Sequence, residues 1–69
     1  MNKNSRVILA KNIMKLRVSK KLTKETLSLS LAFENSYISK VENCRINITL
    51  ERLDKIADYF GVKTFELLK

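Results

Sequence analysis

The sequence predicts an all-α domain of five helical segments in one compact unit. Three observations carry this. The 69 residues contain no proline and a single glycine, Gly61, so almost nothing interrupts a helix. Apolar residues recur at helical spacing along most of the chain. One cysteine and no histidine leave neither a disulfide framework nor the usual metal ligands. A chain this short is marginal alone, so packed helices or a partner subunit must stabilise it.

The first helix is expected over about residues 5–19, with Ser5 as its N-cap. Leu9, Ile13 and Leu16 fall at i, i+4, i+7 and form one apolar stripe. Lys11, Lys15 and Arg17 lie off it, and Lys20-Lys21 form a connector. Thr23 caps the second helix, with Glu25 in the first turn where the helix dipole favours an anion. Leu27 and Leu31 face inward, whereas Leu29 adds apolar surface where a polar residue is expected. Ala32 and Phe33 make the turn, with Phe33 plugging the angle between helices two and three. The third helix spans about residues 35–43, with polar Asn35, Ser36, Ser39 and Lys40 over apolar Ile38 and Val41. A polar loop runs from Cys44 to Ile48. Thr49 caps the fourth helix, whose buried stripe is Leu50, Leu53, Ile56, Ala57 and Phe60. Gly61 follows as the left-handed C′ residue. A last helix over about residues 64–68 returns Phe65 and Leu68 to the core.

The net charge of +7 is unevenly spread. Residues 1–24 hold eight basic side chains, Lys3 and Arg6 among them, and no acidic one; the remainder holds six basic and seven acidic. A basic half beside a near-neutral half suits a face turned to a polyanion, although a solvated lysine face has the same composition. No apolar run approaches the roughly 20 residues that span a bilayer, and Val7 to Ala10 is too short for a signal core. The expectation is a cytoplasmic protein with no membrane partner, cofactor, metal or small-molecule ligand. Without histidine, a nucleophile–base pair or a glycine-rich phosphate loop, enzymatic activity is not expected.

Several ordered strings resemble the Cro/C1-type, XRE-like helix-turn-helix family: Ile13-x-x-Leu16-Arg17, Leu22-Thr23-x-Glu25-x-Leu27, Ser36-Tyr37-Ile38-Ser39-Lys40-Val41-Glu42, Asn47-x-Thr49-Leu50 and Ile56-Ala57-x-x-x-Gly61-Val62. The resemblance spans roughly residues 8–68. It implies a lambda-repressor-like DNA-binding domain over residues 1–69, with the helix-turn-helix at about 23–43 and a dimerisation face at about 49–69. The short length and the Tyr-Ile-Ser and Asn-Ile-Thr-Leu strings are most similar to restriction–modification controller proteins.

In such proteins helix three enters the major groove and helix two crosses the backbone. The resemblance therefore assigns base contacts to Asn35, Ser36, Tyr37 and Lys40. Asparagine pairs bidentately with adenine, serine reads several base edges, tyrosine packs on a thymine methyl, and lysine reaches guanine or a phosphate. Backbone contacts fall to Thr23, Lys24, Ser39, Arg45 and Asn47. The competing structural roles are plain: Asn35 as a cap of helix three, Tyr37 as packing, Asn47 as a loop or helix-four cap. Arg17 and Glu42 match an ion pair that ties helix one to helix three. Ile56, Tyr59, Phe60, Phe65 and Leu68 are assigned to a dimer interface, because so small a domain does not bury them all.

Four departures from the family pattern stand out. Ala32 replaces a glycine and Glu34 a capping serine or threonine. Asn43-Cys44 replaces Arg-Gly or Asn-Gly, and Ile46 replaces a common arginine. The resemblance implies a dimeric transcriptional regulator on a palindromic operator, blocking or contacting RNA polymerase. The alternatives are an antitoxin or small phage or plasmid repressor, and, in another class, a helical protein-binding adaptor. An antitoxin normally carries a toxin-wrapping tail, and the chain is expected to end with its last helix.

Overall fold

The structure, a computed structural model, describes residues 3–69; the Lys3 side chain lies outside the described residues. It contains four α-helices: α1 (Lys3–Ser19), α2 (Lys24–Ser30), α3 (Tyr37–Glu42) and α4 (Leu50–Phe60). The fifth expected helix forms as a short 3-10 helix, Thr64–Leu68. No strand occurs among the described residues. Ser5 lies inside α1 and not at its cap.

The core is one cluster. Leu9 and Ile13 of α1 meet Leu27 of α2, Ile38 and Val41 of α3, and Leu53, Ile56 and Phe60 of α4. α1 packs on α3 and on the C-terminal 3-10 helix, and α4 packs on that same helix. Within the 3-10 helix, Leu67 and not Phe65 or Leu68 returns to the core: a three-residue turn eclipses i and i+3, which leaves those two facing out. Asn12 holds the terminus in place, its Nδ2 donating to the Leu67 carbonyl at 2.8 Å. Leu50, expected in the α4 stripe, is 71% exposed. It is the first residue of α4, before the stripe has turned inward. Ile56 and Phe60, expected at a dimer interface, are 0% and 8% exposed, because the inner face of α4 is already filled by the protein's own core. Tyr59, Phe65 and Leu68 remain exposed.

Arg17 fastens α1 to the two helices that follow. Its Nε donates to Glu42 Oε2 at 2.7 Å and its Nη2 to Glu42 Oε1 at 3.1 Å. Its Nη1 donates to the Leu22 carbonyl at 2.8 Å. The side chains are 12% and 4% exposed, so the pair is shielded. Leaving one partner of such a pair alone typically costs about 3–5 kcal/mol.

All four α-helices end the same way. One residue turns left-handed, its N–H and that of its successor folding back onto the last turn. After α2, Ala32 (φ 59°) donates to Leu29 and Phe33 to Ser28. After α3, Cys44 (φ 59°) donates to Val41 and Arg45 to Lys40. After α1, Lys21 (φ 57°) donates to Val18 and Leu22 to Arg17. Only α4 has glycine at this position, Gly61 at φ 68°. A side chain at such a φ crowds the following carbonyl by about 1–2 kcal/mol. Cys44 recovers part of this, since its half-buried thiol donates to the Arg6 carbonyl at 3.8 Å. Ala32→Gly should therefore raise the unfolding free energy by about 1 kcal/mol. Cys44→Gly should raise it by less. Chemical denaturation measures both, and a destabilised Ala32→Gly would refute the strain.

Candidate nucleic-acid interface

The interface is built around the angle between α2 and α3. Thr23 starts α2, its hydroxyl accepting from the Thr26 N–H at 3.0 Å. The left-handed Ala32 then reverses the chain, and Phe33 drops into the core beneath the turn. The third helix starts at Tyr37, two residues later than expected, with Ser36 at the N-cap making no side-chain capping bond. Glu34 is therefore not the cap; its carbonyl instead accepts from the Tyr37 N–H at 2.9 Å, closing the turn that feeds α3.

The capping of α3 comes from the preceding helix. Ser28 is fully buried. Its hydroxyl donates to the Lys24 carbonyl at 2.9 Å and accepts from the Ile38 N–H at 3.1 Å. The N–H groups of a first helical turn have no partner within the helix, so Ser28 supplies one from outside and sets the distance between α2 and α3. Removing the acceptor would leave a buried N–H unsatisfied, a loss of about 1–3 kcal/mol. The sequence offers one signal for this role: a serine between leucines in a helix that must bury one face.

With the angle fixed, Thr23, Lys24, Asn35, Ser36 and Ser39 line a single open groove of about 580 Å³, with Arg17, Lys21, Leu22 and the acidic Glu25 beside them. Asn35 and Ser36 are exposed; Lys24 and Ser39 are half-buried. Lys40 stands exposed one turn beyond Ser36, the Lys40 N–H donating to the Ser36 carbonyl at 3.1 Å. Arg45 and Asn47 are exposed on the loop after α3, outside the groove lining.

Tyr37 departs from its expected place. It is 9% exposed, its ring tilted against Phe33 at 4.8 Å between centroids. The first residue of α3 points into the core because Ile38 and Val41 set the buried face there. Burial pushes the Tyr37 hydroxyl pKa up. A ring so covered is packing material and offers little to a base.

Arg52 covers it. From α4 its guanidinium lies 4.4 Å from the Tyr37 ring centroid and 4.7 Å from that of Phe33. The same group holds Glu34 with both nitrogens, Nη1 to Oε2 at 2.8 Å and Nη2 to Oε1 at 3.1 Å. Sequence reading assigned Arg52 nothing, since its partners lie 15 to 19 positions away. Those hydrogen bonds from Arg52, with one from the Glu34 backbone, bring the Glu34 carboxyl from 4.5 down to about 2. The pairing raises Arg52 above its ordinary value.

The sign follows from the lowered value. Ionised Glu34 stabilises the fold above about pH 4.5, and that contribution fades as pH falls towards about 2. The melting temperature of the native protein should exceed that of a Glu34→Gln variant at neutral pH. The gap should close between those two values; a gap independent of pH would contradict the pairing.

A sequence model of the helix-turn-helix family matches residues 13–67. The chain is 36% identical over 63 residues to a hypothetical transcription factor of Neisseria meningitidis serogroup B, covering 91% of this chain and 59% of that protein. It thus spans less than two thirds of that relative's length. It is 29% identical over 69 residues to the control protein C.BamHI of Bacillus amyloliquefaciens, covering 99% of this chain and 85% of that one. The crystal structure of the hypothetical transcription factor NHTF from Neisseria superposes with a TM-score of 0.90 at 35% identity, over 94% of this chain and 75% of that one. The restriction-modification controller protein C.AhdI from Aeromonas hydrophila superposes with a TM-score of 0.82 at 29% identity, over 90% of this chain and 94% of that one.

Proposed function

The chain belongs to the helix-turn-helix family, and from that premise we propose that it is a sequence-specific DNA-binding transcriptional regulator, of the restriction–modification controller kind, acting as a dimer on a palindromic operator. One observation carries the DNA reading. Exposed Asn35 and Ser36 share a groove with Thr23, Lys24 and Ser39, in a chain of net charge +7. Controller proteins among the similar chains support the narrower reading.

Asn35, Ser36 and Lys40 read base edges in the major groove, while Thr23, Lys24, Ser39, Arg45 and Asn47 hold phosphates. Tyr37 supports α3 from within. Regulation follows from occupancy: the bound protein blocks RNA polymerase or, from an upstream site, contacts it. The chemistry asked of the protein is recognition and not turnover. Among the described residues no helix is long and apolar enough to cross a membrane. DNA regulation places the protein in a bacterial cytoplasm.

The dimer forms through the exposed apolar side chains of the C-terminal region, Tyr59, Phe65 and Leu68. A two-fold axis there places the two α3 helices about 34 Å apart, one turn of DNA. Sedimentation equilibrium should give a mass that rises with concentration to twice the 8.0 kDa of one chain; a constant monomer mass would exclude the dimer.

Selection from a randomised DNA pool should yield a palindromic site. Asn35→Ala should relax preference at one or two positions by about 1–3 kcal/mol. Lys24→Ala should weaken all duplexes alike and flatten the salt dependence by about one unit of slope. An unchanged selection profile for Asn35→Ala would displace α3 from the groove. No duplex binding at low salt would favour a protein-binding adaptor.

A further inference from the structure

Glu34 is the only acidic residue between Glu25 and Glu42, and it immediately precedes Asn35 and Ser36. It is exposed, with its side chain 66% accessible. A free carboxylate at that point repels the phosphates that the groove is proposed to approach. Arg52 reaches it from another helix and commits both terminal nitrogens to it. The same guanidinium lies over the Phe33 and Tyr37 rings, which restricts where it can move. The Arg52 N–H donates to the Thr49 hydroxyl at 3.2 Å, so the root of the side chain is anchored as well. Among the described residues no other cation pairs with Glu34.

We infer that Arg52 is a positioning residue of the DNA interface: it draws the Glu34 carboxylate off the DNA side of the turn and cancels its charge, so that the anion next in sequence to Asn35 and Ser36 is neutralised and Glu25 is the acidic residue left in the groove lining. This rests on the DNA-binding reading above. Arg52 itself touches no base. Its effect on affinity is electrostatic and acts through Glu34, so it should be felt on any duplex sequence.

The experiment compares four proteins with the native chain: Arg52→Gln, Glu34→Gln, the double variant, and Lys63→Gln as a control for loss of one positive charge beyond the far end of α4. Binding to a random-sequence duplex of about 30 base pairs is read by fluorescence anisotropy across a salt series, and folding by thermal melts. One unmasked charge at a phosphate-facing site corresponds to about tenfold in affinity near 0.1 M salt. Arg52→Gln should lose about that much and the double variant should return to within about threefold of the native chain. Glu34→Gln should bind at least as well as the native chain, and Lys63→Gln should lose less than Arg52→Gln. The melting temperature should fall in Arg52→Gln and stay low in the double variant, so that affinity recovers while stability does not.

Three results overturn the inference: Arg52→Gln binding no worse than Lys63→Gln, a double variant as weak as Arg52→Gln, or affinity that simply follows the melting temperature. Failure of the native chain to bind any duplex at low salt overturns the DNA reading itself, and this inference with it.

Discussion

Arg17 is where three segments meet. Its guanidinium grips Glu42 at the end of α3 and the Leu22 carbonyl just before α2, while its backbone belongs to α1. α2 and α3 have seven and six residues, too short to persist in isolation. Each survives because its ends are held by something outside itself. The Ser28 hydroxyl does for the start of α3 what Arg17 does for its end. Between them these two side chains hold a six-residue helix by both termini, and Ile38 and Val41 bury its inner face. The outer face of α3 is then free to carry polar residues.

How much of this was legible in the sequence depends on the distance over which each interaction acts. Short-range chemistry was readable. Thr23 and Thr49 cap α2 and α4, each hydroxyl accepting an N–H three residues on. Gly61 is left-handed, as its position after an apolar stripe implies. Periodicity placed Leu9, Ile13, Leu27, Leu53 and Ile56 in the core. Misplacements cluster where one residue of phase matters. Tyr37 belongs to the buried face of α3, Leu50 lies outside that of α4, and Leu67 takes the place expected of Phe65 and Leu68. The roles of Asn12 and Arg52 depend on partners 55 and 18 positions away, and no local pattern announces them; Ser28, 10 positions from Ile38, shows itself only as a serine between leucines. The exposed polar residues of the groove came from family resemblance, because exposure alone does not distinguish a base contact from a solvated side chain.

The two ion pairs are built differently and do different things. Arg17–Glu42 is shielded and joins helices across the core's edge. Glu34–Arg52 sits in solvent, where a pair contributes little stability unless its geometry is fixed. Two aromatic rings fix it, and the rings are themselves the floor of the turn. The charge arrangement at the proposed DNA-facing turn thus depends on the same packing that sets the turn's shape. A change in one is felt in the other, which explains how an acidic residue is tolerated beside the proposed reading surface.

The three left-handed helix ends that lack glycine bear on how long each molecule lasts. About 1 kcal/mol at each of Lys21 and Ala32, with a smaller amount at Cys44, multiplies the unfolded fraction by something on the order of tens-fold in total. Proteases act on that fraction, so turnover scales with it. Any partner that binds the folded state alone withdraws molecules from the unfolding equilibrium, whereas unbound copies are cleared faster. Backbone strain at three helix ends thereby ties the protein's lifetime to how much of it is bound.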